Sequence, residues 1–226
     1  MFMAKKNQDI KENKQFFSNG SLKEIKFIKD GRIDGEYTSY FHNGQIMTQL
    51  HFTRGKKNGE ATAYYDHGQI REKVNFVNDN MEGQYISYYE DGQIREQENY
   101  KDGKLDGLYR IYFKNGQLKE EEYFSNGKFD GPYVCYYKTG QVKEKGAFQN
   151  DKRTGEYIAY FKNGQVKEKA MYKNGNLVDK FYTYESVADG TTKSNEHADE
   201  NSGNWEEKDI AGLLQDLAEF DRKKSP

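Results

Sequence analysis

Apolar and polar positions along this chain repeat with a period of 24 residues. A pair of adjacent rings recurs at Phe16/Phe17, Tyr40/Phe41, Tyr64/Tyr65, Tyr88/Tyr89, Tyr112/Phe113, Tyr136/Tyr137 and Tyr160/Phe161. Each pair precedes a turn glycine, at Gly20, Gly44, Gly68, Gly92, Gly116, Gly140 and Gly164, and a second glycine series runs from Gly35 to Gly155 at the same spacing. Seven copies in register identify the chain as a repeat protein, and each copy must then find its core against its neighbours.

One unit reads as two short β-strands. Leu108 to Phe113 runs out, Asn115-Gly116 turns, and Gln117 to Phe124 returns. Asn-Gly is the usual pair for a type I′ hairpin turn, in which both residues take positive φ. The unit closes with Asn126-Gly127-Lys128-Phe129-Asp130-Gly131, a second glycine-rich turn into the next copy. Connections this short join antiparallel neighbours, so the fold class is all-β: an elongated single-sheet antiparallel meander of 24-residue hairpin repeats. Roughly 14 strands at about 4.8 Å each extend on the order of 65 Å, with two open edges.

Strand parity assigns the faces, because successive side chains alternate. The outgoing strand presents Tyr37-Ser39-Phe41, Tyr85-Ser87-Tyr89, Tyr109-Ile111-Phe113, Tyr133-Cys135-Tyr137 and Tyr157-Ala159-Phe161 on one side. The return strand presents Ile70, Val74 and Phe76 on one parity and Arg71, Lys73 and Asn75 on the other. The expectation is one aromatic pavement and one mostly charged face. Rings stacked from repeat to repeat can replace a layered core. A long surface of rings beside charged rows also suits a protein partner. The candidate partner-binding residues are Tyr85, Tyr89, Tyr109, Phe113, Tyr133 and Tyr137, followed by Tyr157 and Phe161, each of which could equally be structural.

Composition sharpens this picture. Leu, Ile, Val and Phe together number only 41 of 226 residues, below the rough 20% at which chains begin to look disordered. Yet aromatics reach 15% and the net charge is only −2, so rings carry the burial that aliphatics usually supply. The balanced charge argues against a nucleic-acid partner. A single cysteine, Cys135, excludes an internal disulfide framework. Met1 to Lys14 contains lysines but no apolar run of the secretory type, and no stretch reaches the roughly 20 apolar residues of a membrane span, so a cytoplasmic protein is expected.

Beyond the repeats the text changes. Residues 1–12 read as a lead-in, 13–185 as about seven repeats, 186–203 as a polar linker and 204–224 as an amphipathic helix. Asn204 can cap that helix, and Ile210, Leu213, Leu214 and Leu217 form its docking face. Residues 185–226 carry 11 acids and 5 bases. The helix can cap the last strand, occupy the partner site of its own sheet, or be offered to another protein.

Chemistry is sparse. His42, His51, His67 and His197 are scattered, so neither a metal site nor a cofactor is expected, and no nucleophile or phosphate motif occurs. Cys135 takes a slot that holds Ser87 or Ala159 elsewhere, which favours a packed thiol. Glu24, Glu72, Glu96, Glu120, Glu144 and Glu168 form a ladder broken at Thr48. The ladder either reads basic side chains of a partner or accepts hydrogen bonds from neighbouring tyrosines and pairs with lysines, and the second reading is favoured. Acids so regularly spaced lack the two unlike environments of a catalytic dyad.

Gly107-Leu108-Tyr109-Arg110-Ile111-Tyr112-Phe113 followed by Asn115-Gly116-Gln117-Leu118-Lys119-Glu120, and Gly155-Glu156-Tyr157 through Phe161 followed by Asn163-Gly164-Gln165-Val166-Lys167-Glu168, resemble the MORN-repeat superfamily, most closely its bacterial variant. The resemblance covers roughly Asn13 to Glu185. It implies a sheet of hairpins. Bacterial proteins of this kind look like YwqK-type antitoxins, which implies an immunity protein that occludes a toxin encoded beside it. The alternative it implies is a structural adaptor or membrane-associated scaffold, with Lys119, Lys143 and Lys167 meeting anionic headgroups. Tyrosine stands where eukaryotic units often carry tryptophan, and Asp79 and Asp151 replace the first linker glycine and Asp179 the second.

Overall fold

The computed structural model describes residues 10–183, all in strands and tight turns. The segments are β1 (Lys11–Phe16), β2 (Leu22–Lys29), β3 (Arg32–Tyr40), β4 (Ile46–Thr53), β5 (Lys56–Tyr64) and β6 (Ile70–Val77). They continue with β7 (Asn80–Met81), β8 (Gly83–Tyr88), β9 (Ile94–Lys101), β10 (Lys104–Leu105), β11 (Gly107–Tyr112) and β12 (Leu118–Ser125). The last are β13 (Lys128–Phe129), β14 (Gly131–Tyr136), β15 (Val142–Gln149), β16 (Lys152–Tyr160), β17 (Val166–Lys173) and β18 (Asn176–Thr183). β7, β10 and β13 are two-residue starts of the outgoing strands β8, β11 and β14, and with each such pair taken as one strand, every strand pairs antiparallel with the next. The result is the expected all-β single-sheet meander. β1 already begins at Lys11, inside the expected lead-in. The linker over 186–203 and the helix over 204–224, with Ile210, Leu213, Leu214 and Leu217, lie outside the described residues.

The two turns of each unit exchange the roles expected of them. At Asn115-Gly116 only the glycine has positive φ (79°). The Gly116 N–H donates to the Phe113 carbonyl at 2.9 Å and the Phe113 N–H to the Gln117 carbonyl at 2.8 Å, which describes a type I turn closed by a bulge. Asparagine serves there as an acceptor: its Oδ1 takes the Gln117 N–H at 3.2 Å, as Asn43 takes that of Gln45 at 3.0 Å. The type I′ pairs sit at the other end, from Asp30-Gly31 to Asn174-Gly175, with both residues at positive φ. Asp79 and Asp151 keep that geometry without being glycine, at φ 75° and 66°. Each uses its carboxylate to accept a backbone N–H of the preceding copy, Lys57 at 2.8 Å and Phe129 at 2.9 Å.

Two bulges per repeat bend the ladder. One leaves Met47, and likewise Arg71 or Lys119, without a cross-strand partner just after the hairpin. The other falls at the second glycine series, which therefore lies within the outgoing strand and is not a turn. Gly131 shows why glycine is needed: its φ is +146° and a Cβ there would lie 2.7 Å from the Tyr123 Cβ. Bulges add right-handed coiling, which lets equivalent side chains of neighbouring rungs close over one another.

The core lies along one face, called inner below. A central row runs through the opposed pairs Tyr37–Leu50, Ala61–Val74, Tyr85–Glu98, Tyr109–Glu122, Tyr133–Gly146 and Tyr157–Ala170. Gly146 has no side chain because the Tyr133 ring covers it, 2.8 Å from where its Cβ would be. A flanking row carries Phe52, Phe76 and Tyr100, all buried, then the half-buried Phe124 and Phe148. Phe52 is completely covered, a burial that stabilises by about 1.5–3 kcal/mol.

Candidate functional site

The eight candidate rings stand on the inner side, and four of them, Tyr89, Tyr109, Tyr137 and Tyr157, bond from one repeat to another. Tyr85 and Tyr133 are interior, 1% and 5% exposed. Tyr109 and Tyr157 donate their hydroxyls to Glu96 at 2.7 Å and Glu144 at 2.9 Å. Tyr89 and Tyr137, at the base of the hairpin turns, reach forward one repeat and donate to the carbonyls of Tyr112 at 2.7 Å and Tyr160 at 2.8 Å. Phe113 and Phe161 occupy the same place without a hydroxyl and are half-buried. These positions explain the rings as cement between copies.

The glutamate ladder accepts from this cement. Tyr37 donates to Glu24 at 3.0 Å, 13 residues back, and the same offset joins Tyr109 to Glu96 and Tyr157 to Glu144. Where the ladder breaks at Thr48, the residue 13 positions on is Ala61, so ring and acid are lost together. Before three of the acids the bulged residue supplies a cation, Arg71 to Glu72 at 3.0 Å, Arg95 to Glu96 at 3.5 Å and Lys119 to Glu120 at 3.4 Å, whereas Glu24 pairs with Lys26 at 2.6 Å and Glu168 with Lys180 at 3.3 Å. Lys119 is thereby turned toward the inner side, while Lys143 and Lys167 are exposed. Burial pushes the Tyr109 phenol far above its ordinary range, and Glu96 adds to the shift. Burial likewise raises the Cys135 thiol, with Glu120 adding to it. The sulfhydryl is packed in the interior.

The other face also carries half-buried rings and is not mainly charged as expected. Adjacent ring residues in a strand must point to opposite sides, so the first member of each pair faces outward. Tyr40, Tyr64, Tyr88, Tyr112, Tyr136 and Tyr160 form a half-exposed rail there, about 10 Å apart. Each is paired across the hairpin with an aliphatic residue, as in Tyr64–Ile70, Tyr112–Leu118 and Tyr160–Val166. Two of the hydroxyls donate to outward-facing amides, Tyr64 to Gln49 at 2.9 Å and Tyr112 to Gln97 at 2.8 Å. Beside the rail run Thr62, Lys73, Ile86, Gln97, Arg110, Glu121 and Val134, neighbours across successive rungs. A shallow depression of about 290 Å³ opens between Tyr64, Gln49, Thr62 and Lys73. The sequence signal for this rail was the doubled ring itself.

Charge is graded along the edge formed by the type I turns. Asp66, Glu90 and Asp91 occupy the turns of the middle repeats, whereas Lys114, Lys138 and Lys162 occupy the later ones. Lys114 and Lys162 lie 5.8 Å and 5.9 Å over the rings of Tyr89 and Tyr137. Among the described residues, no group of three or more His, Cys, Asp or Glu side chains is placed to hold a metal ion.

Six consecutive segments, 33–53, 57–78, 81–102, 105–126, 129–150 and 153–174, match the family model described as MORN repeat variant. No curated protein matches the chain. Among solved structures, a protein of unknown function from Bacteroides fragilis is similar at 12% identity, over 75% of this chain and 97% of that one, with a TM-score of 0.13.

Proposed function

Because the chain belongs to the MORN repeat variant family, whose repeats bind proteins or lipids, we propose that it is a non-enzymatic scaffold that docks one protein partner along the outer tyrosine rail. We further propose that this partner is a toxin encoded beside it, which the sheet occludes. The observation that carries the docking reading is the rail: six half-buried tyrosines at one spacing on one face, two of which, Tyr64 and Tyr112, are held by neighbouring amides. Rings fixed in this way lose little conformational freedom on binding, and tyrosine is enriched among interface anchors. The toxin assignment rests on the resemblance to bacterial immunity-type repeat proteins.

The test is co-expression with the product of the adjacent gene, using Tyr64→Ala, Tyr88→Ala and Tyr112→Ala together. Docking along the rail requires that the triple variant keep its far-UV circular dichroism and lose the partner by at least tenfold in Kd, about 1.4 kcal/mol. Unchanged affinity rejects the rail. A partner that binds but whose activity persists rejects the toxin reading alone. A second reading, an anionic-lipid scaffold, is favoured by the lysine turns at 114, 138 and 162 with Lys143 and Lys167 exposed beside them. Flotation with phosphatidylserine vesicles at low and high salt separates the two, and absence of recovery at low salt removes the lipid reading.

A further inference from the structure

Glu98 on β9 and Glu122 on β12 are the odd members of the central inner row. The equivalent residues are Lys26, Leu50, Val74, Gly146 and Ala170, so the fold does not require an acid there. Both are more deeply buried than the ladder acids beside them, at 1% and 2% exposure. Glu72, Glu96 and Glu120 each have a cation from the bulged residue before them. Glu98 and Glu122 have none, and Arg95 is the cation that most favours ionised Glu98.

The surroundings suit a neutral carboxyl. Glu98 is directly opposite Tyr85 of β8, with Tyr109 of β11 on its other side. On its own strand stand Glu96, paired with Arg95, and Tyr100, whose hydroxyl donates to Glu98 Oε2 at 2.5 Å. A protonated Glu98 can in turn donate to Glu96. Glu122 is opposite Tyr109 of β11 and beside Tyr133 and Cys135 of β14, with Glu120 two residues back on its own strand. Its Oε2 has no hydrogen-bond partner, and neither has the buried Tyr133 hydroxyl. An ionised carboxylate in such a place is strongly disfavoured.

We propose that Glu98 and Glu122 form a proton-operated latch at the centre of the sheet, holding β9 to β14 closed while both carboxyls keep their protons and loosening that segment when they ionise. The rungs on either side carry Val74 and Gly146 in this row and do not share the response. Burial raises both groups to about 8 from 4.5, with Glu96 adding to the shift for Glu98 and Glu120 for Glu122. The folded state therefore retains protons that the unfolded chain has released. Stability falls as pH rises from about 4.5 to about 8 and then levels off.

Hydrogen exchange of the full chain at pH 6.0 and 8.5, corrected for intrinsic exchange, tests the latch. Peptides from β9 to β14 are expected to lose at least about tenfold more protection than those from β3 to β6. The double substitution Glu98→Gln and Glu122→Gln, which mimics the protonated state, is expected to abolish that difference. Equal behaviour of the two regions in the unsubstituted chain, or an undiminished difference in the double variant, overturns the proposal. Should the variant not fold, carbon-13 titration of the glutamate carboxyls in the unsubstituted protein decides: two midpoints near 8 support the latch, and all midpoints below 6 refute it.

Discussion

Tyr85 and Tyr109 offer a matched comparison, since both stand in the central inner row, each directly opposite a buried glutamate. They differ in what the hydroxyl meets. The Tyr109 hydroxyl donates to Glu96 at 2.7 Å, whereas that of Tyr85 is buried without a partner. Tyr109→Phe removes a hydrogen bond to an ionised acceptor, in the range of about 1.5–3 kcal/mol. Glu96 retains Ser87 at 3.3 Å and Arg95 at 3.5 Å, which places the loss near the lower end, about 1.5 kcal/mol. Tyr85→Phe removes an uncompensated buried hydroxyl and is expected to be neutral or stabilising by up to about 1 kcal/mol. The two variants should therefore separate by about 2 kcal/mol, or roughly 4–8 °C in Tm for a sheet of this size. Urea unfolding followed by circular dichroism measures the difference directly. Combining Tyr109→Phe with Glu96→Gln should cost less than the sum of the single changes. Equal destabilisation by both phenylalanine variants, or a larger cost for Tyr85→Phe, would refute the assignment of hydroxyl partners and with it the view of the ladder as repeat-to-repeat cement.

Gly131→Ala combines positive φ with a 2.7 Å approach to the Tyr123 Cβ. It should destabilise by about 1–3 kcal/mol, while Gly155→Ala, with nothing within 4 Å of its added Cβ, should cost less, as thermal unfolding of the pair will show. Cys135, buried with its thiol shifted upward, should react with a disulfide reagent at pH 8 many times more slowly in the native protein than in urea, and equal rates would place it at the surface. Global stability should decline from pH 5 to pH 8, because Glu98 and Glu122 hold protons in the folded state to about 8. Chemical denaturation across that range will register a rise instead if those carboxylates are ionised and paired.

Much of the fold was legible because its signals are local and repeated. The period of 24, the doubled rings and the glycines lead directly to a meander of hairpins. The turn types were not, since Asn-Gly serves either a type I′ turn or the end of a type I turn with a bulge. Hydrogen bonds such as Phe113 to Gln117 distinguish them, and these depend on register. The glutamate ladder was legible as an acceptor row because Thr48 and Ala61 break the pattern together. The candidate surface was legible only in part. Parity placed Tyr85 and Tyr133 on the aromatic side, but that side is covered by its own neighbours once bulges coil the sheet. Tyr88 and Tyr136, one residue before a ring already assigned, had to face the other way. The buried acids Glu98 and Glu122 gave no sign at all, because Gln97-Glu98-Asn99 and Glu120-Glu121-Glu122 read as solvated polar runs.

Docking along the rail is decided by which tyrosines a partner covers. Hydroxyl-radical footprinting of the full chain, alone and with the adjacent gene product, reads every ring separately. In the free protein Tyr64, Tyr88, Tyr112 and Tyr136 should be oxidised readily and Tyr85 and Tyr133 hardly at all. The partner should then protect the first four. Protection confined to other surfaces, or rapid oxidation of Tyr85 and Tyr133 in the free chain, would contradict it.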